Sequence, residues 1–173
     1  LCHRDNVPDV AKLHFSGHLS CQTRHADGLR AILEHYLGVK TSIEEFIGQW
    51  VRIPETYRCR LGQSADSATV GVNATVGSQV WDCQQKFRIV LGPMSLKRYE
   101  QMLPGGNSYA TLKDWVRNYV GDELSWELQL ILKAAEVPKI RLGESGRLGC
   151  TTWVQSYPFE QDVKDIKLQS EVC

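Results

Sequence analysis

The side chains best suited to hold a metal or attack a carbonyl gather near the start of the chain. His14, His18, Cys21 and His25 are ligand types that zinc accepts, and His14 and His18 stand one helical turn apart. Against a zinc reading, Gly17 interrupts the helix and no second ligand pair follows. Phe15 and Leu19 also give the stretch the character of a core edge. A Cys–His nucleophile needs a thiolate beside an oriented imidazole. All five histidines (His3, His14, His18, His25 and His35) fall within the first 35 residues, so the later cysteines have no His-bearing motif beside them. A zinc- or thiol-dependent enzyme built on His14, His18, Cys21 and His25 therefore stands as the second reading. The carboxylates Glu44 and Glu45, with Glu127 later, could form an acid–base pair, but strand carboxylates more often make a solvated face. The glycines of "LGQSADSATVG" are not followed by Gly-Lys-Ser/Thr, so they make no phosphate loop, and "LPGGNS" reads as a turn. No catalytic residue, metal or cofactor is expected.

Composition points the same way. Lys plus Arg and Asp plus Glu both number 20, so the formal net charge is zero and no basic excess exists to displace counterions from nucleic acid. Apolar runs are short, as in "IVL" at 89–91, so no membrane insertion is expected. The six cysteines (2, 21, 59, 83, 150 and 173) are widely spaced with no C-x-x-C. A chain with 42% hydrophobic residues can build a core without staples, so reduced cytoplasmic thiols are expected; a secreted, disulfide-linked binding domain is a third reading. Asn73-Ala74-Thr75 is read as a chance sequon. Leu1 in place of Met suggests a piece of something longer.

The elements that would position any site are legible in part. Residues 1–22 fit a short helix or a strand ending at Gly17. Leu29, Ile32, Leu33, Tyr36 and Leu37 form one apolar face of a helix over 25–37, with Thr23 as N-cap and Gly38 as its stop. "TSIEEFIGQWVRIP" reads as a strand ended by Pro54, and 62–72 as a loop. "TVGSQVWD" and "KFRIVLGP" read as strands, the second ended by Gly92-Pro93. A short helix over 95–103 opens at Ser95, and another over 109–120 carries Leu112, Trp115, Val116, Tyr119 and Val120, with Gly121 as its stop. "ELSWELQLIL" alternates as a half-buried strand, with Ser125, Glu127 and Gln129 on its polar side; "RLGCTTWV" and "DVKDIKL" are further strand candidates. Tryptophans 50, 81, 115, 126 and 153 read as core packing, with an interface anchor as the alternative.

The two longer helices match face for face. Leu29/Leu112, Ile32/Trp115, Leu33/Val116, Tyr36/Tyr119 and Leu37/Val120 are each 83 residues apart, as are Gly38/Gly121. Each helix is followed by a strand, a proline (54 and 138), Leu-Gly (61–62 and 142–143), a loop, and x-Gly-x-x-x-Trp, "VGSQVW" and "LGCTTW". The offset falls to 72 at the last motif, as if one surface loop had shortened by nine residues. The expected architecture is α+β, with two tandem related modules from an internal duplication. Two equivalent modules suit two copies of one partner, with avidity as the gain.

Three runs, "FIGQWVRIPETYRCRLG", "TVGSQVWDCQQKFRIVLGPMSLKRYEQMLPGG" and "ELSWELQLILKAAEVPKIRLGESGRLGCTTWV", resemble the C-terminal part of the TssG/ImpH/VasB family of type VI secretion baseplate subunits. The pieces that carry the resemblance are Leu91-Gly92-Pro93, Leu103-Pro104-Gly105-Gly106, Val137-Pro138 through Leu142-Gly143, and Leu148-Gly149 with Trp153. The resemblance implies a non-catalytic wedge subunit placed with two copies of TssF and one TssE. It implies two transthyretin-like (sheet plus helix) foot modules, 1–92 with an irregular lead-in and 93–173, that dock two TssK trimers. The baseplate it implies carries the spike, on the cytoplasmic face of the bacterial inner membrane. Residues 1–14 match the family pattern poorly, and the segment that would bundle with TssF is mostly absent. Docking is assigned to the loops where the copies diverge: Gln63, Ser64, Asp66 and Ser67 in the first, Glu144, Ser145 and Arg147 in the second.

Overall fold

The computed structural model describes residues 5–60, 69, 71–72, 74–138, 146–153 and 159–169. They divide into two compact units, one made of residues 1–45 and 87–173, the other of residues 46–86.

In the first unit the lead-in is helical: α1 (Asp9–His14) is followed at once by α2 (Ser16–Ser20). Gly17 lies inside α2 rather than ending an element. The segment is tied down by polar contacts as well as by burial. Asn6 donates from both its backbone N–H and its side-chain amide to Asp114, each at 2.8 Å, and Asn118 donates to Asp5 at 2.8 Å. Lys12 pairs with Asp5 at 2.8 Å. The Lys12 hydrogen bond, reinforced by the one from Asn118, holds the Asp5 carboxyl below the ordinary carboxylate range. Phe15 is buried, its ring edge-on to Trp115 at 5.4 Å.

α3 spans Ala26–Leu37 and buries Leu29, Ile32, Leu33 and Leu37, as the 3.6-residue period predicts. Its start differs from the expectation. Thr23 does not cap it; His25 occupies the N-cap position without a side-chain cap. The hydroxyl of Tyr119, from the helix α5 (Asn107–Val120), serves instead, accepting from the His25 N–H at 3.4 Å and donating to the His25 carbonyl at 3.1 Å. This explains Gly28 in the first turn of the helix. A Cβ there would lie 2.2 Å from the Tyr119 hydroxyl oxygen. In an open helix Gly→Ala gains up to about 1 kcal/mol. Here Gly28→Ala is expected to destabilise by about 1–3 kcal/mol through overpacking. In a Tyr119→Phe background the same change costs less, because the oxygen it meets is gone. Urea midpoints of the four variants in this cycle check it.

Gly38 ends α3 in the left-handed conformation, φ 61°, and β1 (Thr41–Glu44) follows. The single strand expected over 41–53 is broken here. Phe46 takes φ 59°, unusual for a side chain with a Cβ, and β2 (Gln49–Arg52) belongs to the other unit, paired antiparallel with β3 (Gln79–Asp82). β4 (Lys86–Met94) returns to the first unit and runs on through Gly92-Pro93 rather than stopping there. Then come α4 (Leu96–Gln101), α5 and β5 (Ser125–Leu132).

The first sheet has the order β1-β4-β5-β6, with β6 at Lys167–Gln169. β1 is antiparallel to β4, with Thr41 opposite Leu91 and Glu44 opposite Arg88, and β6 is antiparallel to β5. β4 and β5 advance together. Arg88 meets Glu127, Gly92 lies under Ile131, and Lys133 donates its N–H to Met94 O, all at one constant offset, so the two strands run parallel. A parallel pair needs a long crossover, and α4 and α5 supply it. Phe87, Ile89 and Leu91 of β4 and Leu128, Leu130 and Leu132 of β5 join the buried faces of α3 and α5 in one cluster around Trp115. Each such side chain contributes about 1.5–3 kcal/mol through burial.

The expected strand "RLGCTTWV" is a turn over its described part. Cys150 and Thr151 both donate to the Arg147 carbonyl, and Gly149 has φ 77°. "DVKDIKL" yields only β6 and a bridge from Val163 to Leu132. The architecture is mixed α+β. The helix–glycine–strand step occurs twice, but both resulting strands, β1 and β5, enter one sheet, and β4 runs through the expected 92/93 boundary.

A candidate docking surface

The 46–86 unit is built around a two-stranded ribbon, and two strands cannot hide both of their faces. Trp50 and Trp81 stand opposite one another in the β2–β3 register, their rings in an edge-on contact at 5.3 Å. Trp81 lies against the Gly48 backbone so closely that a Cβ at residue 48 would overlap its ring. The ribbon is extended by Ile47 N–H to Lys86 O at one end and Ile53 N–H to Ser78 O at the other, both 2.9 Å. Past Pro54, a 3₁₀ turn at Glu55–Tyr57 is pinned by Arg58, which donates from Nε to the Ile53 carbonyl at 3.0 Å.

The aromatic groups held this way face solvent: Trp50 is 65% exposed, Trp81 53%, and Phe46 and Tyr57 more so. Val80 and Val51 add aliphatic surface on the opposite face. Exposed Trp and Tyr on a fixed backbone are the groups that anchor protein interfaces. The left-handed Phe46 fits the same picture, since backbone strain of this kind persists where a side chain has to be presented.

Expectation and structure part company on the tryptophans. Trp115 and Trp126 are buried and Trp153 is partly so, as core packing predicts, but Trp50 and Trp81 are not core residues. The sequence held one signal of this. Between residues 46 and 86 it offers no amphipathic helix to cover a sheet.

The carboxylates also differ from expectation. Glu127 is not on a solvated face but 5% exposed, and it accepts a hydrogen bond from Arg88 Nε. Glu44 accepts from the other side of the same guanidinium at 2.7 Å. Burial works against the Arg88 charge, but the hydrogen bond and field of Glu127, with Glu44, outweigh it and raise the guanidinium above its ordinary value. The cation between them ties up both carboxylates, and Glu45 is exposed.

The His/Cys cluster is dispersed. His14 stacks on His35 at 5.0 Å, Cys21 Sγ contacts Gly17 O at 3.2 Å, and the His25 backbone belongs to the α3 cap. Among the described residues no group of three or more His, Cys, Asp or Glu side chains is arranged to hold a metal. Cys21, Cys59, Cys83 and Cys150 carry free thiols. Of the loop residues assigned to docking, Gln63, Ser64, Asp66, Ser67, Glu144 and Ser145 lie outside the described residues. Arg147 is exposed at the start of the 147–152 turn, its N–H donating to Thr151 Oγ1 at 2.8 Å. No described helix is long and apolar enough to cross a membrane.

Two solved structures share this fold. One, a TssK-TssF-TssG baseplate subcomplex of the type VI secretion system, contains a chain matched with TM-score 0.72 and 18% identity over 94% of this chain and 68% of that one. The other, a baseplate complex from the type VI secretion system, gives TM-score 0.69 and 17% identity over 96% of this chain and 48% of that one. A search of curated proteins found no significant match. The model of the family described as type VI secretion, TssG, matches residues 1–155, and the chain belongs to that family.

Proposed function

We propose that this chain is a non-catalytic structural subunit of the type VI secretion baseplate, linking a TssF and TssE core to TssK. The observation that carries the reading is the outward aromatic set of the 46–86 unit in a chain of this family: Trp50 and Trp81 are built into a ribbon yet left uncovered. TssK and TssF stand beside TssG in the related subcomplex, which supports them as partners here. In this reading the doubled helix–glycine–strand pattern records an internal duplication. Its two modules dock two TssK trimers at the cytoplasmic face of the inner membrane, beside two copies of TssF, with the spike carried by the same baseplate. In this reading the docking surfaces involve the 62–72 and 143–147 loops.

The test is to mix the purified chain with TssK and with TssF and follow complex mass by light scattering. TssK binding by wild type, weakened about tenfold or more by Trp50→Ala with Trp81→Ala at unchanged circular dichroism, is the expected result. No TssK binding by wild type counts against the function. Binding unaffected by deletion of residues 63–70 removes that loop from the interface.

A further inference from the structure

α1 and α2 lie against the core without entering it. Neither helix buries a residue. Their apolar grip on the first unit is two plugs, Val7 ahead of α1 and Phe15 between the helices, 3% and 7% exposed. Ala11 and Leu19 are only partly covered. Phe15 makes the two helices one piece: its N–H donates to Ala11 O at 3.2 Å, and its carbonyl accepts from His18 and Leu19 at 3.0 Å. The remaining hold is polar and gathers ahead of α1. The Asp5 carboxylate, its side chain 16% exposed, accepts from Lys12 and from Asn118 of α5, each at 2.8 Å. Asn6 reaches Asp114, one turn away on α5. At the other end, residues 21–25 are exposed throughout. Arg24 spans this joint, donating to the His18 and Leu19 carbonyls at 2.9 and 2.8 Å, with its guanidinium 5.1 Å from the Tyr119 ring centroid. Against Phe15 packs Trp115, fully buried, whose Nε1–H has no acceptor among the described residues. A buried donor without a partner is costly, so the closed arrangement carries a penalty that access to water removes.

We propose that residues 5–20 form a strap that lifts as one piece about the 21–25 joint while α3, α5 and the sheet stay folded, with Asp5 as its latch and the Trp115 indole as the surface it uncovers. A segment held by two apolar plugs and one carboxylate hub has few contacts to lose, so it opens far more readily than the core unfolds. Asp5 is the latch because it ties the strap to itself through Lys12 and to α5 through Asn118. The strap gives the first unit a closed and an open surface. The inference is independent of the docking reading, since none of these residues belongs to the 46–86 unit.

Hydrogen exchange of the full chain, read residue by residue by NMR, is the first test. The hydrogen-bonded amides of Ala11, Lys12, Phe15, His18 and Leu19 are expected to share one protection factor, about tenfold or more below those of α3 and α5. Asp5→Ala is expected to lower that shared factor by about a further tenfold and to leave α3 and α5 unchanged. Lys12→Met, which removes one of the two donors to the latch, should act in the same direction. Hydroxyl-radical footprinting is the second readout: Trp115 should be modified more in Asp5→Ala than in wild type, and Trp126 in β5 equally in both. Asp122→Ala, which removes an exposed carboxylate outside the latch, should match wild type by both measurements. Strap amides as protected as those of α5 overturn the proposal. So does an Asp5→Ala effect shared equally by α3 and α5, which makes the segment part of the core. Faster exchange with Trp115 no more modified also overturns it, because the helices then fray in place rather than lift. An equal effect of Asp122→Ala removes Asp5 as the latch.

Discussion

Gly92→Ala is expected to destabilise the chain by about 3–5 kcal/mol, a large part of the roughly 5–15 kcal/mol that holds a typical domain together. Two costs combine at this position. Gly92 has φ 127°, a conformation that costs a residue with a Cβ about 1–3 kcal/mol. A Cβ there would also lie 2.5 Å from the carbonyl oxygen and 2.8 Å from the Cβ of Ile131, on the neighbouring strand. These atoms belong to β5 at the centre of the sheet and cannot swing aside as the end of a long side chain can, so overpacking adds about 1–3 kcal/mol. Gly17→Ala is the control. Its Cβ meets nothing within 4 Å and its φ is ordinary for a helix, so the change should be neutral or mildly stabilising. Urea unfolding of the two variants beside wild type separates them. A Gly92→Ala midpoint equal to that of wild type would show that β4 and β5 do not approach as closely as described.

What the sequence displayed and what it concealed follow from how each element is held. α3, α5 and β5 answer to one period apiece, with apolar residues on the side that meets the core, so their positions are legible to within about two residues. The break after β1 has no such signature. "TSIEEFIGQWV" keeps strand-like composition throughout, and only the left-handed Phe46 divides it between two sheets. The turn at 147–152 was concealed in the same way, because Thr and Trp suit strands, while the bonds that close the turn run from backbone and threonine hydroxyl groups to Arg147. Trp50 and Trp81 are the instructive pair at the candidate site. Residue type alone places a tryptophan in a core. Exposure depends on whether another layer lies over the strand, and that layer is a property of the whole chain. The burial of Glu127 has a similar origin, since alternation assigns it to the polar side of β5 but does not reveal the guanidinium waiting there on β4.

That guanidinium yields the second large effect. Arg88→Met is expected to cost about 3–5 kcal/mol, the usual penalty when a buried ion pair loses one partner. The side chains of Arg88 and Glu127 are only 17% and 6% exposed, so water can do little to replace the lost charge. The reverse change, Glu127→Met, should cost less. It leaves Arg88, which is the more exposed of the two and keeps Glu44 at 2.7 Å. The double variant, with methionine at both positions, should recover much of the loss of Arg88→Met, because two apolar side chains of similar length need no counter-charge. Urea midpoints of the four proteins in this cycle, taken at neutral pH, give the coupling. If Arg88→Met and the double variant unfold together at neutral pH, the triad is a surface feature and contributes little to the sheet. If the double variant is clearly more stable than Arg88→Met, Arg88 is present to neutralise Glu127; if it also matches wild type, the polar row across β1, β4 and β5 adds little net stability over an apolar one.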